Sequence, residues 1–267
     1  RTIASLADGA LEGVDLLVIA SPTKDVTAGE LALLKAYLEG GGNLLVTRDY
    51  TDPINLPNYA SLLGNYGVTP LDGVVVAEAD DTAAYSGERV YLLPYMATVD
   101  FTLPLIANQM DVLLLPGASA FAVREETDSA LTVERVLNSS ADCYLRSPEN
   151  GAGLERQEGD LTGELCVGAY ARRMHASGDV SRVFVLGNSA ALTEETLYQS
   201  TFVQEFLISL LGDMLPQKTV SLDIMAKAAY RPNLTVGSMT LGVALIVALP
   251  LLVLAAALIV LLPRRNR

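Results

Sequence analysis

The residue with the best address for nucleophilic chemistry is Ser189, in the run Gly187-Asn188-Ser189-Ala190-Ala191 directly after the apolar stretch RVFVL at 182–186. A serine at the end of a strand is where an α/β hydrolase places its nucleophile. That elbow, however, needs Gly-x-Ser-x-Gly so that the strained turn can approach the following helix, and here Ala191 stands at the second glycine. A turn and helix cap is the favoured reading. Two cysteines, Cys143 in Asp-Cys-Tyr-Leu and Cys166 in Leu-Cys-Val-Gly, sit inside strand-like runs rather than at strand-to-helix turns, which argues against a catalytic thiol. The one histidine, His175, follows Arg172 and Arg173 and precedes the turn Ser177-Gly178-Asp179, so no base is placed beside either nucleophile.

Other chemistry-bearing patterns give less. Asp80-Asp81, Glu125-Glu126 and Glu194-Glu195 are adjacent in sequence and on a strand would face opposite ways, which is not an acid–base pair. Gly40-Gly41-Gly42 follows a helix and precedes a strand, the reverse of a phosphate-binding loop, and reads as a helix stop. One histidine and two scattered cysteines do not build a zinc centre, so no metal and no cofactor is expected. If a ligand binds, the crevice at the carboxyl ends of the strands is its place, and the weak candidates there are Ser21, Thr23, Lys24, Arg48, Asp49, Asn188 and Ser189.

The elements that would carry these residues are clearest near the start. DLLVIA at 15–20 reads as a buried strand, Thr27 and Glu30 have capping-box spacing, Leu31, Leu34 and Leu38 follow on one helical face, and NLLVT at 43–47 is a second strand. This is a βαβ unit with a right-handed crossover. A second helix is expected over 56–66 and a third strand over 74–78 (VVVAE). Short strands follow at 90–93, 112–115 and 120–123, with polar loops at 80–88 and 147–163. Thr201 and Gln204 again have capping-box spacing, and Phe202, Phe206, Leu210 and Met214 continue that helix until Pro216. The expected fold is α/β, an open and mostly parallel sheet with helices on both faces.

The 267-residue chain carries a net charge of −13, a field that repels phosphate backbones and excludes a nucleic-acid partner. Residues 241–262 (LGVALIVALPLLVLAAALIVLL) contain no charge and, as a helix, would extend about 33 Å, enough for a bilayer core. Arg264, Arg265 and Arg267 abut this run and place the tail inside the cell, leaving the rest outside with membrane lipid as a partner of the span. The expected organisation is an extracytoplasmic domain at 1–216, a linker at 217–239, a transmembrane helix at 240–263 and a basic tail at 264–267. An oxidising exterior would let Cys143 and Cys166, 23 residues apart, form a disulfide; two buried thiols are the equal alternative. Residues 1–13 hold no signal sequence, so an exported domain is expected to be a fragment lacking an upstream signal or span.

In this order the motifs resemble a family. VDLLVIASPTKDVTAGELALLKAYLEGGGNLLV at 14–46, YASLLGNYGV at 59–68, Asp72-Gly73-Val74-Val75-Val76 and RVFVLGNSAAL at 182–192 are similar to the auxiliary domain of gliding-motility-type ABC transporters. The final apolar run and its arginine tail extend the resemblance, while about 80–165 has little counterpart. The resemblance implies a flavodoxin-like or class I glutamine amidotransferase-like fold and a non-catalytic auxiliary subunit acting beside a separate ABC permease and ATPase. The alternatives are a membrane-tethered hydrolase or amidotransferase-like enzyme, and an extracytoplasmic ligand-binding sensor.

Overall fold

The computed structural model describes residues 6–7, 9–78, 84–124, 129–147, 153–194, 196, 200–216 and 250. The chain divides into two units, Arg1–Thr219 and Val220–Arg267. All labelled elements lie in the first.

The opening βαβ unit forms as its punctuation requires. Strand β1 (Leu16–Ala20) leads to helix α1 (Ala28–Glu39) and strand β2 (Asn43–Thr47), with β1 and β2 parallel in the register Leu16 to Asn43 through Ala20 to Thr47. The capping box is complete: Glu30 N–H donates to Thr27 Oγ1 at 3.2 Å, and Thr27 N–H donates to Glu30 Oε2 at 2.8 Å. After α1 the chain turns at Gly41 with φ of +83°, a conformation glycine adopts without penalty. Gly42 is needed for another reason, because a Cβ there would collide with the Tyr37 ring. That ring's hydroxyl donates to Asn43 O at 2.8 Å and accepts from Asn43 N at 3.0 Å, tying α1 to the start of β2.

Beyond this unit the expected mostly parallel sheet is overturned. Strand β3 (Val68–Pro70) follows helix α2 (Pro57–Gly64), and β4 (Val74–Ala77), read from sequence as the third parallel strand, lies in a different sheet. It pairs antiparallel with β10 (Cys143–Arg146), which also pairs with β11 (Leu161–Thr162). A fully buried apolar run looks the same in either sheet, so VVVA carried no sign of its partner. Two-residue strands β5 (Tyr91–Leu92) and β7 (Leu115–Pro116) form a third small sheet.

Among the described residues the main sheet has eight strands. β13 (Val180–Leu186) joins β2 in parallel, and all its further pairings are antiparallel. β12 (Cys166–Met174) pairs with β13 on one side and with β9 (Leu131–Asn138) and β8 (Phe121–Val123) on the other. β6 (Tyr95–Met96) adds to β9, and β3 adds to β8. β9, the antiparallel partner of β12, lies in the stretch whose pattern matched nothing, which is why the sheet looked more parallel than it is. The architecture is therefore mixed, with parallel pairing among the described residues confined to β1–β2–β13, and is not a clear flavodoxin-like or amidotransferase-like sheet between helical layers.

Two apolar layers flank the main sheet. On one face Leu34 and Leu38 of α1 and Leu62 and Leu63 of α2 pack on Leu44, Val46, Val183 and Val185. On the other, Leu45, Tyr170 and Phe184 meet the second sheet through Val75 and Leu145, the short helix α3 (Leu103–Ala107) through Leu105, and helix α4 (Thr201–Met214) through Phe206 and Leu210. Phe101 packs edge-on against Tyr170, Phe184 and Phe206 with centroids 5.5–6.4 Å apart, adding aromatic contact to the apolar burial. α4 is capped by Ser200, which accepts from Val203 N–H at 3.3 Å, one residue before the expected Thr201.

Among the described residues no helix is long and apolar enough to cross a membrane. The expected membrane localisation is thereby overturned for the structure as described. The apolar run at 241–262 lies outside the described residues apart from Pro250, and so do Arg264, Arg265 and Arg267.

Candidate functional site at the parallel strand ends

The registers of β1, β2 and β13 bring Ala20, Thr47 and Leu186 level, so the three chains leave the sheet side by side. What each does next defines the site. After β1, Ser21 takes a left-handed conformation (φ 43°) and its N–H donates to Thr47 O at 3.0 Å and Thr47 Oγ1 at 3.2 Å. After β2, Asp49 turns its carboxylate between the two neighbouring chains. Oδ2 accepts from Ser21 Oγ at 2.9 Å and from Ser189 Oγ at 2.6 Å, and Oδ1 accepts from Ser189 N–H at 2.6 Å. The Asp49 N–H itself donates to Asp52 Oδ2 at 2.8 Å, closing a turn over 49–52. One carboxylate thus laces all three parallel strands together.

Arg48, the preceding residue, points the other way and is buried, its side chain 2% exposed. Its guanidinium donates to Leu71 O at 2.8 Å, Ser119 Oγ at 3.2 Å and Asp52 O at 3.3 Å, and Asp72 lies 3.9 Å away. Burial pushes the guanidinium below its ordinary value, and the Asp72, Asp52 and Asp49 carboxylates oppose that. Asn188 donates to Pro116 O, and its Oδ1 is buried without a hydrogen-bond partner. Gly187 lies so close to Ser119 that a Cβ would overlap the Ser119 carbonyl, and Ser119 N–H donates to Gly187 O at 2.6 Å. Thr23 and Lys24 are exposed and stand outside this network.

Of the seven strand-end candidates, three (Ser21, Asp49 and Ser189) are joined in one clamp, while Arg48 and Asn188 bond to neighbouring segments instead. The adjoining cavity, lined by Pro22, Arg48, Asp52 and Tyr59 among others, has a volume of about 10 Å³, room for no more than one water. Ser189 Oγ faces a carboxylate already holding two other donors, and a 3₁₀ turn (Ala190–Leu192) follows it.

The histidine is at the opposite end of the sheet. His175 opens the β12–β13 turn, its N–H donating to Asp179 O at 2.9 Å. Its Nε2 is 2.7 Å from Ser181 Oγ, which is 2.7 Å from Tyr66 Oη. Sequence reasoning missed this Ser–His pair; the one available signal was alternation along β13, which turns Ser181 inward. Ser181 is fully buried, so its hydroxyl has no path to a substrate. Burial pushes the Tyr66 phenol above its usual range, although Ser181 and Arg173 pull it down.

The cysteines lie on strands of different sheets, Cys143 on β10 and Cys166 on β12, and no disulfide joins them. Both are buried. Burial pushes the Cys166 thiol up to about 11 against the pull of Arg135, so it stays protonated and unreactive near neutral pH. Among the described residues no group of three or more His, Cys, Asp or Glu side chains could hold a metal ion.

No protein-family model matches the chain. No curated protein matches it either. Solved structures do. A cytoplasmic protein from Salmonella typhimurium is 14% identical, with 79% of this chain and 76% of that one covered and a TM-score of 0.45. A putative ThuA-like protein from Bacteroides uniformis is 13% identical over 77% and 71%, with a TM-score of 0.35. The mmIFT52 N-terminal domain is 18% identical, covers 80% of this chain and 82% of its own, and superposes with a TM-score of 0.57. At that identity the likeness speaks for architecture only: the chain shares the fold of the mmIFT52 N-terminal domain.

Proposed function

We propose that this chain is a non-catalytic auxiliary subunit of an ABC-type transport system, working through contacts with a separate permease and ATPase. The observation that supports it is the state of the strand-end crevice. Where α/β enzymes and ligand binders keep polar groups free for a ligand, Asp49 here is taken up by Ser21 and Ser189, and the cavity beside Arg48 and Asp52 has a volume of only about 10 Å³. A domain whose polar strand-end residues are spent on its own scaffold works by its surface. The sequence resemblance at 14–46, 59–68 and 182–192 supplies the transport context.

Isolation under mild detergent conditions from the native cell tests this. The expected result is co-isolation of a permease and an ATPase, retained when Ser189 is replaced by alanine. Recovery of the chain alone under every condition that keeps the transporter intact would overturn the assignment. Turnover of an ester or amide substrate that Ser189→Ala abolishes would favour a hydrolase instead.

A further inference from the structure

β1 is an edge strand, paired with β2 on one side; among the described residues nothing pairs with its other side. Edges of this kind invite another strand, and proteins usually blunt them with lysine, proline or a bulge. β1 carries none of these: its sequence is Leu-Leu-Val-Ile-Ala, and its five-residue register with β2 is unbroken. Val18, at its centre, is 47% exposed. A groove of about 840 Å³ runs along the strand, walled by Leu6, Val14, Val26 and Leu215 as well as by β1 itself. The exposed charge at the amino end of the strand is acidic, Glu12 and Asp15, with Lys24 beyond the other end.

We propose that this edge accepts an extended, β-branched peptide segment with basic flanks from a protein partner, which adds as a further strand beyond β1. Main-chain hydrogen bonds to the open edge would supply affinity, and the groove would take alternate side chains of the incoming strand. Charge selects the occupant. A second copy of this chain, itself carrying a net charge of −13, is repelled over the whole molecule, whereas a cationic segment is drawn toward Glu12 and Asp15 by the same field. Such an edge would serve a partner whether or not the transport reading holds.

The test uses the whole chain and a synthetic peptide, Lys-Lys-Thr-Val-Thr-Val-Thr-Lys-Lys, with a counterpart whose lysines are all glutamate. Binding is followed by fluorescence anisotropy and by hydrogen exchange at the amides of 16–20. The expected result is saturable binding of the basic peptide with new protection at 16–20. The glutamate peptide should bind at least about tenfold more weakly, and the gap should narrow as salt rises from about 0.05 M to about 0.5 M. Val18→Lys should weaken binding at least about tenfold, while Val18→Thr, which keeps the β-branch, should not. Binding without protection at 16–20, or equal binding by Val18→Lys, would overturn the proposal. So would a dimer in sedimentation that Val18→Lys dissociates, since the edge would then serve a second copy.

Discussion

Asp25 caps a helix that begins more than thirty residues later: its Oδ1 accepts from Tyr59 N–H at 3.0 Å and its Oδ2 from Asn58 N–H at 3.0 Å. The residue at the N-cap of α2, Leu56, has no side chain able to do this, and Pro57 removes one further donor. Asn58 returns the contact by donating from Nδ2 to Val26 O at 2.8 Å. The loop after β1 and the start of α2 are therefore one unit, which seats α2 beside α1 on the sheet.

Replacing Asp25 by alanine should lower the unfolding free energy by about 1–2 kcal/mol, the usual worth of an N-cap. Asp25→Asn should recover part of that loss, because the amide oxygen still accepts but carries no charge toward the helix dipole. Urea denaturation followed by far-UV circular dichroism measures both. Equal stability of Asp25→Ala and wild type would show that the cap contributes nothing.

The strand-end clamp predicts an asymmetry. Ser189→Ala deletes one hydroxyl and should cost about 1 kcal/mol. Asp49→Ala strands the Ser21 hydroxyl together with the Ser189 hydroxyl and N–H, and should cost about 2–3 kcal/mol. Paired chemical denaturation curves decide it; a Ser189→Ala loss as large as that of Asp49→Ala would contradict the shared-acceptor arrangement.

Gly187→Ala should be among the most damaging single-methyl additions in the domain, at about 3 kcal/mol or more. The new Cβ would overlap the Ser119 carbonyl, which is backbone and cannot rotate away. Gly64→Ala, where a Cβ meets nothing within 4 Å, is the control and should change stability by less than about 1 kcal/mol. Thermal melts of the two variants give the comparison directly.

Alkaline pH should weaken the fold through Cys166. Burial raises its thiol from an ordinary value of 9.0 to about 11 in the folded chain, so the folded state holds the proton more tightly than the unfolded state. The stability this contributes is complete below about pH 9 and is lost between about 9 and 11, where the unfolded thiol ionises first. Tyrosines raised by burial, Tyr37 and Tyr66 among them, steepen the decline above their ordinary range. Cys166→Ala should flatten the pH 9–11 part of the stability profile relative to wild type. An unchanged slope would show that the thiol is not held protonated by burial.

The sequence alone determined the local pieces: the βαβ unit, the Thr27–Glu30 capping box and the strand ending at Leu186. Each is legible because hydrophobic period, caps and glycine stops act within a few residues of one another. Tertiary structure decided everything that depends on which distant strand is the neighbour. VVVA at 74–77 fits either sheet until β10 pairs with it, and β9 and β12 are antiparallel partners whose own runs do not name each other. The site followed the same rule. Ser21, Asp49 and Ser189 could be placed at strand ends from pattern, but only the level registers of three strands turn one carboxylate toward two serines 28 and 140 residues away. Asp25 as a helix cap left no local signal, and alternation along β13 turned Ser181 inward without naming His175 as its neighbour, because a side chain's partner across the fold is set by packing rather than by spacing.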